Sequence, residues 1–114
     1  MINKRTLNAR QMELKAQQSE NSELTYTVDY ATELDTDTIS TSTWTSEDSG
    51  VTIANEANDT QTASARLSGD TGRYRIVNKV VTAAGDTYER YIDLIIYENE
   101  KYYSTDWGYY NYRW

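Results

Sequence analysis

Between Arg73 and Tyr97 apolar and polar residues alternate on both sides of a single turn, and this feature narrows the possible folds more than any other in the chain. Tyr74, Ile76 and Val80 precede Ala83-Ala84-Gly85-Asp86, and Tyr88, Ile92, Leu94 and Ile96 follow it. Successive side chains of a strand point to opposite faces, so a period of two predicts a β-hairpin with one buried face. Gly85 takes positive φ at no steric cost, as a hairpin turn with a bulge often requires. Tyr91, Ile95 and Tyr97 add apolar bulk to the other face of the second strand. That strand is expected to be covered on both sides near its end, the outer cover coming from beyond its own sheet.

The same period recurs upstream. Leu24, Tyr26, Val28 and Tyr30 share a face, with Thr25, Thr27 and Asp29 on the other. Thr38 to Ser46 is rich in Thr, Ser and Ile around Trp44, but Ile39 and Trp44 have opposite parity, which predicts a bulge or bend between them. Val51 with Ile53, then Ala63, Ala65 and Leu67, give two further strands separated by a turn over Asn55 to Thr60. About seven short strands, turn signals roughly every ten residues and a lone Trp in an early strand predict an all-β, immunoglobulin-like β-sandwich over residues 23–98. A chain of 114 residues suits one domain, and with no Cys its core is held by packing or by neighbouring chains.

The two ends read differently. Residues 1–22 are expected to form a helical or extended arm, with Asn3 to Ser19 favouring helix through its Ala, Leu, Gln, Lys, Arg and Met content. Its apolar stripe of Leu7, Met12 and Leu14 is thin, so the arm is expected to order against a partner. Lys4, Arg5, Arg10 and Lys15 make it basic, whereas Glu20 to Thr60 carries many acids and neither Lys nor Arg. Such an arm either lies on an acidic surface or is a solvated terminus. Residues 99–114 pack Tyr102, Tyr103, Trp107, Tyr109, Tyr110, Tyr112 and Trp114 among small or polar residues. Tyr and Trp bring large contact area at low entropic cost, so this is read as a docking tail, the alternative being an extra strand folded back on the sandwich. The candidate protein interface therefore comprises these seven rings with Arg5, Leu7, Arg10, Met12 and Leu14.

Catalytic chemistry finds little material. Without His or Cys the commonest general base, thiol nucleophile and transition-metal ligands are missing, and no enzyme, cofactor or metal is expected. A two-carboxylate glycosidase using Glu47, Asp48 or Glu89 would need a sugar-holding cleft that a small sandwich does not offer. Asp29, Asp35, Asp37 and Asp48 lack the spacing of a calcium loop and read as solvated acids. Gly69-Asp70-Thr71-Gly72-Arg73 reads as a turn, and the Arg73, Arg75 and Lys79 series facing Glu89 and Asp93 as pairs that set hairpin register. A net charge of −7 argues against nucleic acid as a partner. No apolar run approaches the length of a membrane helix, and Met1 to Glu20 lacks the apolar stretch of a secretory signal, so a soluble protein made in a cytoplasm is expected.

Several ordered pieces carry a family likeness. They are Tyr26-Thr27-Val28-Asp29-Tyr30, Asp37-Thr38-Ile39, Ser42-Thr43-Trp44, Gly50-Val51-Thr52-Ile53, Ala65-Arg66-Leu67-Ser68-Gly69, Tyr74-Arg75-Ile76-Val77-Asn78, Thr82-Ala83-Ala84-Gly85, Glu89-Arg90 and Leu94. In this order and spacing, over about two thirds of the chain, the sequence resembles the fibre-tail adaptor proteins of tailed bacteriophages. It departs from them where Asp70 follows Gly69 and Asp86 follows Gly85. The resemblance implies one immunoglobulin-like domain, a structural role at the tail or neck of the virion, several copies per particle and no catalysis. The expected function is an adaptor that attaches fibres through protein–protein contacts with other virion proteins. The alternatives are a capsid decoration protein and a carbohydrate-binding adhesion module with Trp107, Tyr109 and Trp114 as its platform.

Overall fold

Ile76 and Val80 on one strand and Ile92, Leu94 and Ile96 on the next share a face that is fully withdrawn from solvent, and the rest of the molecule is arranged to cover it. The computed structural model describes residues 6–9 and 13–98. Its elements are β1 (Thr6–Asn8), β2 (Glu13–Ser19), β3 (Leu24–Asp29), the single helical turn α1 (Ala31–Leu34), β4 (Ile39–Ser46), β5 (Val51–Asn58), β6 (Thr62–Gly69), β7 (Gly72–Thr82) and β8 (Thr87–Tyr97). They form two four-stranded sheets, β1-β3-β6-β5 and β2-β8-β7-β4, packed as a β-sandwich. β3, β6 and β5 pair antiparallel, as do β4, β7 and β8, while β1 joins β3 and β2 joins β8 in parallel.

Between the sheets lie Tyr26, Val28, Ala63, Ala65 and Leu67 from the first and Leu14, Trp44, Tyr74, Ile76, Val80, Ile92, Leu94 and Ile96 from the second. The alternation seen in the sequence therefore sets the inner face. Trp44 is 4% exposed and contributes area, its indole N–H having no acceptor among the described residues. The predicted bulge is present, the β4–β7 register shifting between Ile39 and Thr41. The β7–β8 hairpin turns at Ala83 to Asp86 with Gly85 at φ 95°, a value that favours glycine.

Two expectations are corrected. Residues 6–8 and 13–19 are strands, not helix: Leu14, Ala16 and Gln18 alternate inward and pair along β8, and tertiary pairing outweighs helix propensity. The break after Ile53 is also smaller than predicted. β5 continues to Asn58 through a register shift between Ala54 and Ala57, with Asn55 at φ 52°, and the turn is confined to Asp59 to Gln61. Asp59 shapes that turn by accepting from Gln61 N (3.0 Å), Thr62 N (2.8 Å) and Thr62 Oγ1 (2.8 Å). Together these bonds hold the Asp59 carboxyl below its ordinary pKa.

Candidate protein-interaction surface

The end of the sandwich from which residues 99–114 continue is a braced corner. Tyr74 donates from its hydroxyl to the Asp70 carbonyl four residues upstream (2.7 Å), and Asp70 N donates to the Gly50 carbonyl (3.0 Å). A side chain at position 69 would place a Cβ 2.4 Å from that same Gly50 oxygen, so glycine there allows the β4–β5 connection to lie against the β6–β7 corner. Glu20 N donates to the Tyr97 carbonyl (2.9 Å), and the Glu20 side chain accepts from Thr71 (3.0 Å). The last residue of β8, the end of β2 and the corner are thus tied together by hydrogen bonds.

Along the outer face of the β2-β8-β7-β4 sheet the strand register puts Lys15, Asp93 and Arg75 in one row, and Glu13, Tyr91 and Val77 in the next. Arg73 holds Asp93 through two hydrogen bonds (3.0 and 2.7 Å), with Lys15 4.0 Å away. The Arg73 bond and the neighbouring cations keep the Asp93 carboxyl below the usual aspartate range. The Arg75 guanidinium lies 4.9 Å from the centre of the Tyr91 ring, and Tyr91 donates to Glu89 (3.1 Å), a bond that raises its own pKa. This face mixes rings, aliphatic side chains and cations.

At the opposite end, Arg90 gathers three parts of the chain. It donates to the Ala9 carbonyl, reaches Glu33 of α1 at 4.0 Å, and lies 5.9 and 5.8 Å from the rings of Tyr30 and Tyr88. Deeper in, Tyr30 donates to Asn78 Oδ1 (2.8 Å), and Asn78 Nδ2 donates to Ser42 Oγ (3.1 Å) and the Thr43 carbonyl (3.3 Å). Burial pushes the Tyr30 pKa well above the ordinary tyrosine value despite the nearby Arg90, so the hydroxyl stays a donor. A matching network links Tyr26 to Gln18 Oε1 (2.8 Å), with Gln18 Nε2 donating to the carbonyls of Leu67 (3.0 Å) and Ser22 (2.9 Å).

Of the sequence-predicted interface residues, Leu14 is 5% exposed and belongs to the chain's own core, and Leu7 is half-buried against it. Arg5, Arg10, Met12, Tyr102, Tyr103, Trp107, Tyr109, Tyr110, Tyr112 and Trp114 lie outside the described residues. The Arg75–Tyr91 stack and the Arg90 junction were missed as sites, although Arg75, Tyr88, Arg90 and Tyr91 stood within the hairpin pattern. Contact between them depends on neighbouring strands, which the pattern of one strand does not specify. Asp48 sits at the other end of the sandwich from Asp29, Asp35 and Asp37, and among the described residues no group of three or more acids could hold a metal ion. No helix among the described residues is long and apolar enough to cross a membrane.

The family model described as "Podophage GP4 fiber-tail adaptor protein gp77" matches residues 18–95, more than half of the chain. The chain belongs to this adaptor family. The match runs from the end of β2 into β8 and takes in the β6–β7 corner and Arg90, while β1 and most of β2 lie outside it. No curated protein matches the chain.

Proposed function

We propose that this adaptor is a non-enzymatic structural protein of the virion that joins fibres to the tail or neck of a tailed phage, in several copies, through protein–protein contacts. The observation that carries the reading is the family match over the sandwich. Its braced corner supports it further, because an adaptor must hold its partners at a fixed geometry. The aromatic segment 101–114 is the docking element, and the basic residues of the first segment are a second point of attachment.

We also take the sandwich to be immunoglobulin-like. The order β3-β6-β5 against β8-β7-β4 corresponds to the B-E-D and G-F-C sheets of that fold. Trp44 on the third strand of that scheme and the Tyr74 hydroxyl bonded back to Asp70 correspond to two of its hallmarks, the buried Trp of strand C and the tyrosine corner before strand F.

Deleting Lys101 to Trp114 tests the role of the tail. The shortened protein is expected to keep the far-ultraviolet spectrum of a β-sandwich and to be absent from purified particles. Its presence at normal copy number would overturn the reading. Counting copies in intact virions separates the adaptor from a decoration protein, since an adaptor under cyclic symmetry is expected at about six to a few dozen copies and a decoration protein at hundreds.

A further inference from the structure

The outer face of the β2-β8-β7-β4 sheet carries aromatic and aliphatic side chains that the core between the sheets does not enclose. Tyr91, Ile95, Tyr97 and Val77 stand there only half-buried. Beside them Lys15, Arg73 and Arg75 remain 79%, 61% and 58% exposed although each is ion-paired, and Lys79 is exposed as well. Glu13, Glu89 and Asp93 are the acids on this face. The remaining described acids gather at the two ends: Glu20, Glu23, Glu47, Asp48, Asp70 and Glu98 at one, and Asp29, Glu33, Asp35, Asp37, Asp59 and Asp86 at the other, with Glu56 on the β5 edge. The outer face of the other sheet offers Thr25, Thr27, Ser64 and Ser68, with Arg66 as its cation.

We infer that the outer face of the β2-β8-β7-β4 sheet receives the aromatic segment 101–114 of a neighbouring copy, so that successive adaptors are linked by one heterologous contact. The inference rests on the reading that this segment docks on another polypeptide, and it names that polypeptide as a second copy of this chain. Three arguments support it. Rings seek a surface of rings and guanidinium groups, and Arg75 over Tyr91 already shows the stacking geometry that a Tyr or Trp of the segment would extend. The segment balances Asp106 with Lys101 and Arg113, so it escapes the repulsion that the acidic ends of two copies would meet if they touched directly. It also follows β8 after three intervening residues, and its fourteen residues reach up to about 45–50 Å when extended, which exceeds the length of the strand and allows it to cross to an adjacent copy. A contact of this kind between different patches repeats from copy to copy and closes into a ring when the rotation permits.

Photo-cross-linking in the full-length protein tests this. p-Benzoylphenylalanine replaces Tyr91 in one preparation, Thr45 on the same face in a second, and Ser64 on the other sheet in a third. Each is mixed with an equal amount of isotopically heavy protein, irradiated and mapped by mass spectrometry. Heavy–light cross-links from positions 91 and 45 to peptides of residues 101–114, absent from position 64, are the expected result. The pair Arg73→Glu and Arg75→Glu is expected to lower their yield roughly tenfold, because the face then offers carboxylates where it offered guanidinium groups to the incoming rings. Cross-links confined to single chains would overturn both this inference and the docking role of the tail. Equal yield from position 64, or no cross-link to the segment from any position, would overturn this inference alone, leaving the adaptor reading to the particle-incorporation experiment.

Discussion

An asparagine withdrawn entirely from solvent must find partners inside the protein, and Asn78 does so through Tyr30, Ser42 and the Thr43 carbonyl. Asn78→Leu keeps the volume but removes the 2.8 Å Oδ1 acceptor of the Tyr30 hydroxyl, leaving it the Asn78 carbonyl at 3.5 Å, and is expected to cost about 2–3 kcal/mol in urea unfolding. Tyr30→Phe added to Asn78→Leu removes the poorly satisfied donor, so the double variant should be more stable than Asn78→Leu alone. The alternation Tyr74, Ile76, Asn78, Val80 puts Asn78 on the core face in the sequence itself, yet polarity kept it out of the predicted core. Its acceptors lie on strands some 35 or more positions away, and no local pattern announces them. Asp93, like Asp59 and Asp37, is a residue whose charge is favoured by the fold. Its folded pKa is depressed, so its contribution is complete above the ordinary aspartate value near 3.8 and is lost as pH falls through the lower folded value. The urea midpoint should therefore fall as pH drops below about 4, and Asp93→Asn should lower the midpoint at neutral pH while flattening that acid limb.

The elements that announced themselves were those whose burial pattern lies within one strand. β7 and β8 were legible because a period of two persists through eleven residues on each side of a glycine turn, and the β4 bulge because Ile39 and Trp44 differ in parity. β2 was not. Glu13 to Ser19 has good helix formers, and its inward Leu14, Ala16 and Gln18 become a pattern only when β8 is beside them. Leu14 distinguishes the two readings experimentally: on an arm that waits for a partner, Leu14→Ala would leave the free protein unchanged. In the core it should cost about 2–4 kcal/mol, and thermal or urea unfolding of the isolated protein measures the difference. The extent of β5 was misread for a related reason. Asn and Asp favour turns in isolation, but Asn55 at positive φ makes a bulge that the strand absorbs before pairing resumes at Ala57.

For the whole molecule the first segment is part of the fold. β1 lies at the edge of one sheet and β2 at the edge of the other, so the chain crosses from sheet to sheet between them and covers strands that would otherwise be exposed. Removing residues 1–22 takes away the buried Leu14 and Ala9, both bonds from Gln18 Nε2, the acceptor of the Tyr26 hydroxyl and the carbonyl that Arg90 holds. It also bares one edge of β8, an eleven-residue strand carrying Ile92, Ile95 and Ile96, as a template for pairing with other chains. A leucine cavity and a stranded tyrosine hydroxyl together are worth on the order of 5 kcal/mol, comparable with the entire stability of many domains of this size. Deletion of 1–22 should therefore produce a protein that unfolds at much lower temperature and aggregates, whereas deletion of 101–114 should leave the melting temperature close to that of the full chain. Differential scanning calorimetry of both proteins checks this. If the amino-terminal deletion melted like the full chain, the two parallel edge strands would contribute nothing to the fold, and the first segment would be free to act solely as an attachment arm.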